Sequence, residues 1–482
     1  MPFNDLHEFV DALDHAGELH RIKAPADPVL EIAEVTDRVT KSAGPALLFE
    51  NPVGSRFPLL INTFGTLKRT CMAFGVQSLD EIGDRIARLV KPEIPAGFWE
   101  KLSLLPEVLR VVGNPPRTVR SGPVQEVVKT DTADVLELPV LQCWPKDAGR
   151  FITFASVITK DPAGKRNVGL YRVQVFDGKS VGLHWQVHHD GARHYREWCR
   201  RGEPMPVALA LGGDPATMYC GSAPLPPGMD EFLFAGFLRN KSVELVPCKT
   251  IPAEAPAHAE IVIEGWVKPG DTRREGPFGD HTGYYSAADD YPVLRVSAVT
   301  HRRNPLYPTT IVGMPPQEDA WLGKATERFF FPLVRMIIPD ILDYDLPVWG
   351  VFHNFVICKI EKRYPFQARK VIHGIWGAGQ MMLSKCIIVV DSDCDIRNIE
   401  DVLFRVGANV DWGRDVEHVQ GPVDILDHAS PTLGAGGKIG IDATHKIPGE
   451  GQVREWPEMI RMSPEVKERV TARWAEFGLP VR

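Results

Sequence analysis

The chain has 482 residues, 44% of them hydrophobic and 24% charged, the composition of a globular protein of two or three domains with a substantial core. Its formal charge of -7 argues against nucleic acid as the main partner, because a phosphate-binding surface needs clustered positive charge. No apolar run approaches the ~20 residues that cross a bilayer, the N-terminal MPFNDLHEF lacks the basic and apolar regions of a signal peptide, and the eight cysteines are scattered with no CxxC pair, so a cytoplasmic, reduced, disulfide-free protein without a transmembrane segment is expected.

From residue 1 to about 115, helix and strand signals alternate. Asn4 can cap a helix carrying Leu6, Phe9, Val10 and Leu13 at helical spacing, with Gly17 near its end. A second helix carries Leu30, Ile32, Val35 and Val39 and stops near Gly44; ALLFEN and PLLINTFG read as short strands, and 79–89 as an amphipathic helix. This is an α/β unit. Between 116 and 305 the texture changes to β-branched runs separated by Gly, Pro and Asp, and Asp177-Gly178 between two alternating strands predicts a hairpin. A largely antiparallel sheet or barrel is expected there. A Pro-punctuated linker at 306–325 leads into a second α/β region, 326–482. FHNFVICKIEK and KCIIVVDSD read as buried strands with a helix between them from about Arg369 to Met382, LGAGGKIG as a Gly-rich loop, and 464–477 as a final helix.

Four stretches could carry chemistry. In EGPFGDHTGYYS, Glu275 and Asp280 flank Gly276, Pro277 and Gly279, which favour a turn that could bring both carboxylates to one side. An acid/base pair would result, and the alternative is a solvated loop whose acids cap backbone amides. In NVGLYRVQ, Asn167 and Arg172 would face opposite sides of a regular strand, and Gly169 could permit a bulge that aims both inward. A buried Arg needs an anion; a surface Arg on an edge strand is the other reading. HWQVHHD offers His184, His188 and His189, which with Asn and Glu oxygens would suit Mn²⁺ better than structural zinc, and HExxH is absent. Lys438 in LGAGGKIG could add a point charge to a phosphate site, although the stretch is not a GxxxxGK[ST] P-loop.

Six motifs, in order along essentially the whole chain, resemble the UbiD family of reversible decarboxylases that use prenylated FMN: CWPKDAG, NVGLYRVQV, DPATMYCGSAPLP, EGPFGDHTGYYS, GMPPQED and GGKIGIDATHKIPGE. The resemblance implies an N-terminal α/β domain, a central split β-barrel that holds the flavin, and a C-terminal α/β domain involved in oligomerisation, in a homodimer or hexamer. It places Asn167, His188 and Glu231 as Mn²⁺ ligands, through which the cofactor phosphate is held, with K⁺ nearby. Lys438 matches a phosphate contact. Val168, Gly169, Leu170, Tyr171, Arg172, His184, Trp185, Gln186 and Val187 fall on cofactor-binding positions. Arg172, Glu275 and Asp280 match the catalytic network, with Glu275 orienting Arg172 and Asp280 moving the proton. Some relatives carry Arg where this chain has His184 and His189, and Gln where it has Val187. CWPKDAG and REWP near 454 look closer to the ubiquinone branch than to the cinnamate-type decarboxylases, which implies a hydroxylated aromatic acid such as a 4-hydroxy-3-polyprenylbenzoate or a related naphthoate, with an α,β-unsaturated acid also open. Met314 and Leu322 are candidate pocket residues, and a flavin prenyltransferase would supply the cofactor. The competing readings are an FMN-dependent reductase on a split barrel, a His-based metallohydrolase, and a non-catalytic flavin-binding assembly protein.

Overall fold

The computed structural model describes residues 3–90, 114–186, 189–225 and 228–479. Helix Leu6–His15 opens the chain, capped by Asp5 rather than Asn4: the Asp5 carboxylate accepts from Glu8 N at 3.1 Å, while Glu8 reaches back to Asn4 N at 2.7 Å. Helices Glu31–Lys41 and Asp80–Val90 follow, around fully buried strands Ala46–Phe49 and Leu59–Ile61. Those strands lie between Leu19–Ile22 and Tyr307–Pro308, so the segment after residue 305 returns to complete the N-terminal sheet. Helix Glu318–Ile337 starts immediately beyond, and the buried Glu318 carboxylate fastens it by accepting from Thr63 Oγ1 at 2.9 Å and Phe64 N at 2.7 Å.

The middle of the chain is a nine-stranded sheet in which every pairing is antiparallel, and the predicted hairpin is present as Val173–Asp177 with Ser180–Leu183. Met205–Leu211 is buried on both faces: Val207, Leu209 and Leu211 enter one core cluster, Ala208 and Ala210 another that is covered by helix Glu231–Arg239. Arg166–Leu170 ends the strand order on one side, whereas Val173–Asp177 is second from the opposite end. Only Tyr171 and Arg172 span that gap, a reach of at most about 11 Å. The sheet must therefore curl until its ends nearly meet, and Arg172 sits at the join. The expected bulge at Gly169 does not form, since Arg166–Leu170 pairs in unbroken register with Ala155–Lys160. Gly169 instead makes room for Tyr171, whose ring would lie 2.3 Å from a Cβ there.

Beyond the long helix, a five-stranded mixed sheet runs Ile341–Asp345, Phe355–Ile360, Cys386–Asp391, Ala435–Asp442, Val416–Pro422, packed by helices Gln367–Trp376 and Ile399–Asn409. The glycine-rich LGAGGKIG is not a loop: from Ala435 onward it is a strand between two neighbours, and Gly440 closes on Ile372 so tightly that a Cβ would lie 2.5 Å from its Cγ2. All eight cysteines are free. Among the described residues no helix is long and apolar enough to cross a membrane.

Candidate active site

Strand Ile261–Glu275 delivers Glu275 into the curled sheet, where it is wholly buried. There it grips Arg172 with both oxygens: Nε donates to Oε1 at 2.9 Å and Nη2 to Oε2 at 3.1 Å. Two parallel bonds of this kind fix the plane of a guanidinium. The remaining Nη1 donates to Asp280 Oδ2, so one arginine joins the two carboxylates that the turn brings together. The Phe278 ring lies 4.9 Å from the guanidinium carbon and packs on Phe151, closing the apolar side of the cluster. His184 completes it, with Nδ1 3.0 Å from Glu275 Oε2. Because an ionised carboxylate can only accept, the proton of that bond belongs to Nδ1. Among the described residues the buried Nε2 of His184 has no hydrogen-bond partner.

The turn is held by residues the sequence reading did not single out. Asp147 Oδ1 accepts from Gly279 N at 2.8 Å, while its Oδ2 accepts from Cys143 N and Trp144 N. Gln174 Oε1 accepts from Gly276 N at 2.9 Å. Gly276 has φ 84°, a conformation glycine adopts without a Cβ penalty, and a Cβ on Gly279 would lie 2.2 Å from the Trp144 ring. Asp147 and Trp144 lie in CWPKDAG and Gln174 in NVGLYRVQV, so their motifs were visible but their contacts, 102 to 135 residues away in sequence, were not.

Burial alone would raise the Asp280 carboxyl. The hydrogen bond and charge of His281, with the charge of Arg172, outweigh it and hold Asp280 well below the usual carboxylate range. His281 shows the converse: burial opposes its charge, but Asp280 raises its pKa to about 9. Burial likewise opposes ionisation of Glu275, and the His184 hydrogen bond and Arg172 reverse the balance. The site in this state stores negative charge on both carboxylates and positive charge on Arg172 and His281.

The expected metal set draws on strand Arg166–Leu170 and helix Glu231–Arg239. Asn167 is buried, and among the described residues its Nδ2 has no hydrogen-bond partner. Glu231, the first residue of helix Glu231–Arg239, is buried with Oε2 accepting from Val168 N at 2.8 Å. Burial, with Asp230 and Asp190 nearby, pushes its carboxyl up to about 7. A carboxylate so disfavoured is a donor that a divalent cation would satisfy, and an Asn side chain offers such an ion its Oδ1. His188 and Val187 lie outside the described residues. Trp185 is buried with Nε1 unpartnered, Gln186 N donates to His189 Nδ1 at 3.1 Å, and the His189 ring lies 4.9 Å from Tyr171. Lys438 is buried in the C-terminal domain, donating to Met382 O with Trp376 5.6 Å away, and burial lowers its pKa to about 8. Its described partners all belong to that domain.

A cavity of about 190 Å³ opens onto Asp280, lined also by Trp144, Tyr284, Tyr285 and Met314. That is below the few hundred Å³ of an ordinary small-molecule pocket. Larger clefts of about 910 and 980 Å³ touch none of these charged residues. Met314 therefore lies where expected, at the rim, whereas Leu322 is buried in the N-terminal core and lines no part of this cavity.

Three profiles of a single family match the chain: the 3-octaprenyl-4-hydroxybenzoate carboxy-lyase N-terminal domain at residues 10–86, its Rift-related domain at 117–315 and its C-terminal domain at 320–443. A protein of Aquifex aeolicus described only as uncharacterized is 50% identical over 481 residues, 99% of each chain. One from Archaeoglobus fulgidus with the same description is 47% identical over 480 residues, again 99% of each. Among solved structures, the UbiD-class enzyme HmfF from Pelotomaculum thermopropionicum in complex with FMN superimposes with a TM-score of 0.82 at 31% identity, over 98% of this chain and 100% of that one. Vanillic acid decarboxylase of Sedimentibacter hydroxybenzoicus in its closed form gives 0.86 at 26% identity over 100% of both, and its open form 0.81.

Proposed function

The chain belongs to the UbiD family, and from that premise we propose that it is a reversible, non-oxidative decarboxylase of an aromatic acid, hydroxylated in the manner of a 4-hydroxy-3-polyprenylbenzoate, or of an α,β-unsaturated acid. The observation that carries the reading is the buried cluster in which Arg172 joins Glu275 and Asp280. Decarboxylation exchanges a carboxylate for a proton at one carbon, so the protein must recognise an anion and deliver one proton. Arg172 supplies the fixed cation and Asp280 the deliverable proton, while Glu275 and His184 keep the guanidinium from turning.

Prenylated FMN, when bound, would supply the electron sink for the pair left on the substrate as CO₂ departs. Asn167, His188 and Glu231 would hold Mn²⁺ against its phosphate, with K⁺ alongside and Lys438 as a further phosphate contact; residues 168–172 and 184–187 would border the ring system. The disfavoured charge of Glu231, which is bonded to the strand neighbour of Asn167, supports this placement. Two related structures also support the flavin: HmfF in complex with FMN, and an evolved dimeric HmfF, 30% identical to this chain, in complex with prFMN. A homodimer or hexamer in the cytoplasm, supplied by a flavin prenyltransferase, completes the reading. A flavin reductase needs no arginine clamped between two carboxylates, and nothing in the site favours it.

The test is reconstitution. Protein co-produced with a flavin prenyltransferase should carry a cofactor with the mass of prenylated FMN and release CO₂ from members of a panel of hydroxylated aromatic and unsaturated acids. Full activity in cofactor-free protein would refute the proposal.

A further inference from the structure

His281 follows Asp280 directly and turns back onto it: its backbone N donates to Asp280 Oδ1 at 2.7 Å, and its Nδ1 lies 2.9 Å from the same oxygen. Its other nitrogen, Nε2, lies 3.0 Å from Nε2 of His353. His353 sits in the C-terminal domain, just before strand Phe355–Ile360. Both His281 nitrogens are therefore engaged, one by the carboxylate that must donate a proton and the other by the neighbouring domain. The Phe352 ring packs 5.7 Å from His281 and 5.8 Å from His353.

Each turnover in the decarboxylation direction consumes one proton, and Asp280 as it stands holds none: paired with Arg172 and His281 it is a carboxylate. The nearest acidic hydrogen is the one on His281 Nδ1. Resting on the decarboxylase reading above, we propose that His281 stores the proton that Asp280 delivers, and that His353 holds the imidazole in place by accepting from Nε2. In the step itself the Nδ1–H bond breaks and an Asp280 Oδ1–H bond forms, leaving a neutral imidazole with its Nε2–H directed at His353. The protonated Asp280 then passes that hydrogen to the substrate carbon and returns to carboxylate. Water restores the proton to His281 after product departs. Atoms and charge balance without any group beyond solvent.

The same corner has a second chemical reading. His281, His353 and Asp424 could together offer three ligand atoms to a metal ion. Two imidazole nitrogens each about 2.0–2.1 Å from a tetrahedral zinc would lie about 3.4 Å apart. The observed 3.0 Å is instead an ordinary hydrogen-bond length. Asp424 Oδ2 stands 4.0 Å from His353 Nε2, outside hydrogen-bonding reach. A shared proton fits these spacings better than a shared ion.

The electrostatic surroundings support storage. The charged groups acting on His281 are Asp280, Asp319 and Asp424, and those acting on His353 are His281, Asp424, Asp427 and Lys385. Burial and the charge of His281 lower His353 to about 4, which favours one positive charge on the pair, on the member next to Asp280.

The experiment uses the full chain in two arms. In the first, ¹⁵N-histidine-labelled protein without cofactor is titrated by NMR. The His281 signal, assigned by its loss in His281→Gln, should be that of an imidazolium at pH 8 and of a neutral ring in Asp280→Asn; a neutral His281 at pH 8 in the wild type overturns the proposal. In the second arm, holoenzyme is assayed with an acid that the wild type decarboxylates. His281→Gln should lower kcat roughly 10- to 100-fold with KM changed less than twofold. His353→Gln, whose carbonyl can still accept from Nε2, should keep the wild-type fall in kcat above about pH 9. His353→Leu, which cannot accept, should move that fall to lower pH. Wild-type kcat and pH profile in His281→Gln would overturn the proposal. So would equal damage in both His353 variants with activity recovered on adding zinc, which would assign a metal ion instead. If no acid is turned over at all, the functional reading fails while the NMR arm still decides the state of His281.

Discussion

At the scale of single residues, the site separates holding a charge from moving a proton. Glu275 is fixed by Arg172 and His184 and has no oxygen left for a substrate, whereas Asp280 shares Oδ2 with one Arg172 nitrogen and faces the cavity. Asp280→Asn keeps the shape and removes the acid, so kcat should fall by about 10²- to 10⁴-fold with cofactor retention unchanged. The Asp280–His281 interaction also predicts a pH dependence of stability. The folded pKa of His281 lies above the unfolded value of about 6.5, so its contribution is complete below that value and disappears as pH rises through about 9. The Tm difference between wild type and His281→Gln should therefore shrink across that window, which differential scanning calorimetry at a series of pH values would show. EGPFGDHTGYYS and NVGLYRVQ made the two carboxylates and Arg172 legible in the sequence. The partner of His281 was not, because His353 lies 72 residues on with nothing local to mark it.

At the scale of elements, what was legible followed from local periodicity, and what was not followed from sheet context. The hairpin at Asp177-Gly178 and the strands Phe355–Ile360 and Cys386–Asp391 declare themselves by pattern and turn chemistry. Strand Ala435–Asp442 does not, since its glycines are there to admit Ile372 and read as a loop when the neighbour is unknown. Arg172 reaches the interior by a third route, at the join of the curled sheet rather than at a bulge. The turn after Glu275 depends on Asp147, which receives three buried N–H groups. Asp147→Ala should destabilise the protein by about 2–4 kcal/mol, as unpaired buried donors cost about 1–3 kcal/mol each and water relieves some of them. Denaturant unfolding checks this, and kcat should fall with it as Asp280 loses its position. Gly279→Ala should do the same through collision with Trp144, a ring that cannot yield cheaply because its Nε1 is tied to Val312 O at 2.8 Å.

At the scale of the molecule, the site lies where the central and C-terminal domains meet. Among the described residues, His281–His353 is the single hydrogen bond joining the central sheet's turn to the C-terminal domain, with the tilted Tyr284 and His428 rings 3.8 Å apart beside it. The contact is thin only at this corner, since helix Glu318–Ile337 is tied to the central domain by Tyr219 Oη and Thr326 Oγ1 at 2.8 Å and by Phe330 against Phe234, so loosening is expected locally. His353→Leu combined with Tyr284→Ser should raise hydrogen exchange at 280–286 and 349–354 and leave the strands Met205–Leu211 and Cys386–Asp391 as protected as before. The three-part architecture was legible from the alternation of signals along the chain, but the seam was not, since it is made by side chains from distant loops. The most direct measurement of the whole account is decarboxylation in heavy water by holoenzyme loaded with prenylated FMN, comparing wild type with Asp280→Asn. The wild type should release CO₂ and leave one deuterium at the carbon that carried the carboxylate, and the variant should lose that product. Equal product formation by both proteins would contradict it.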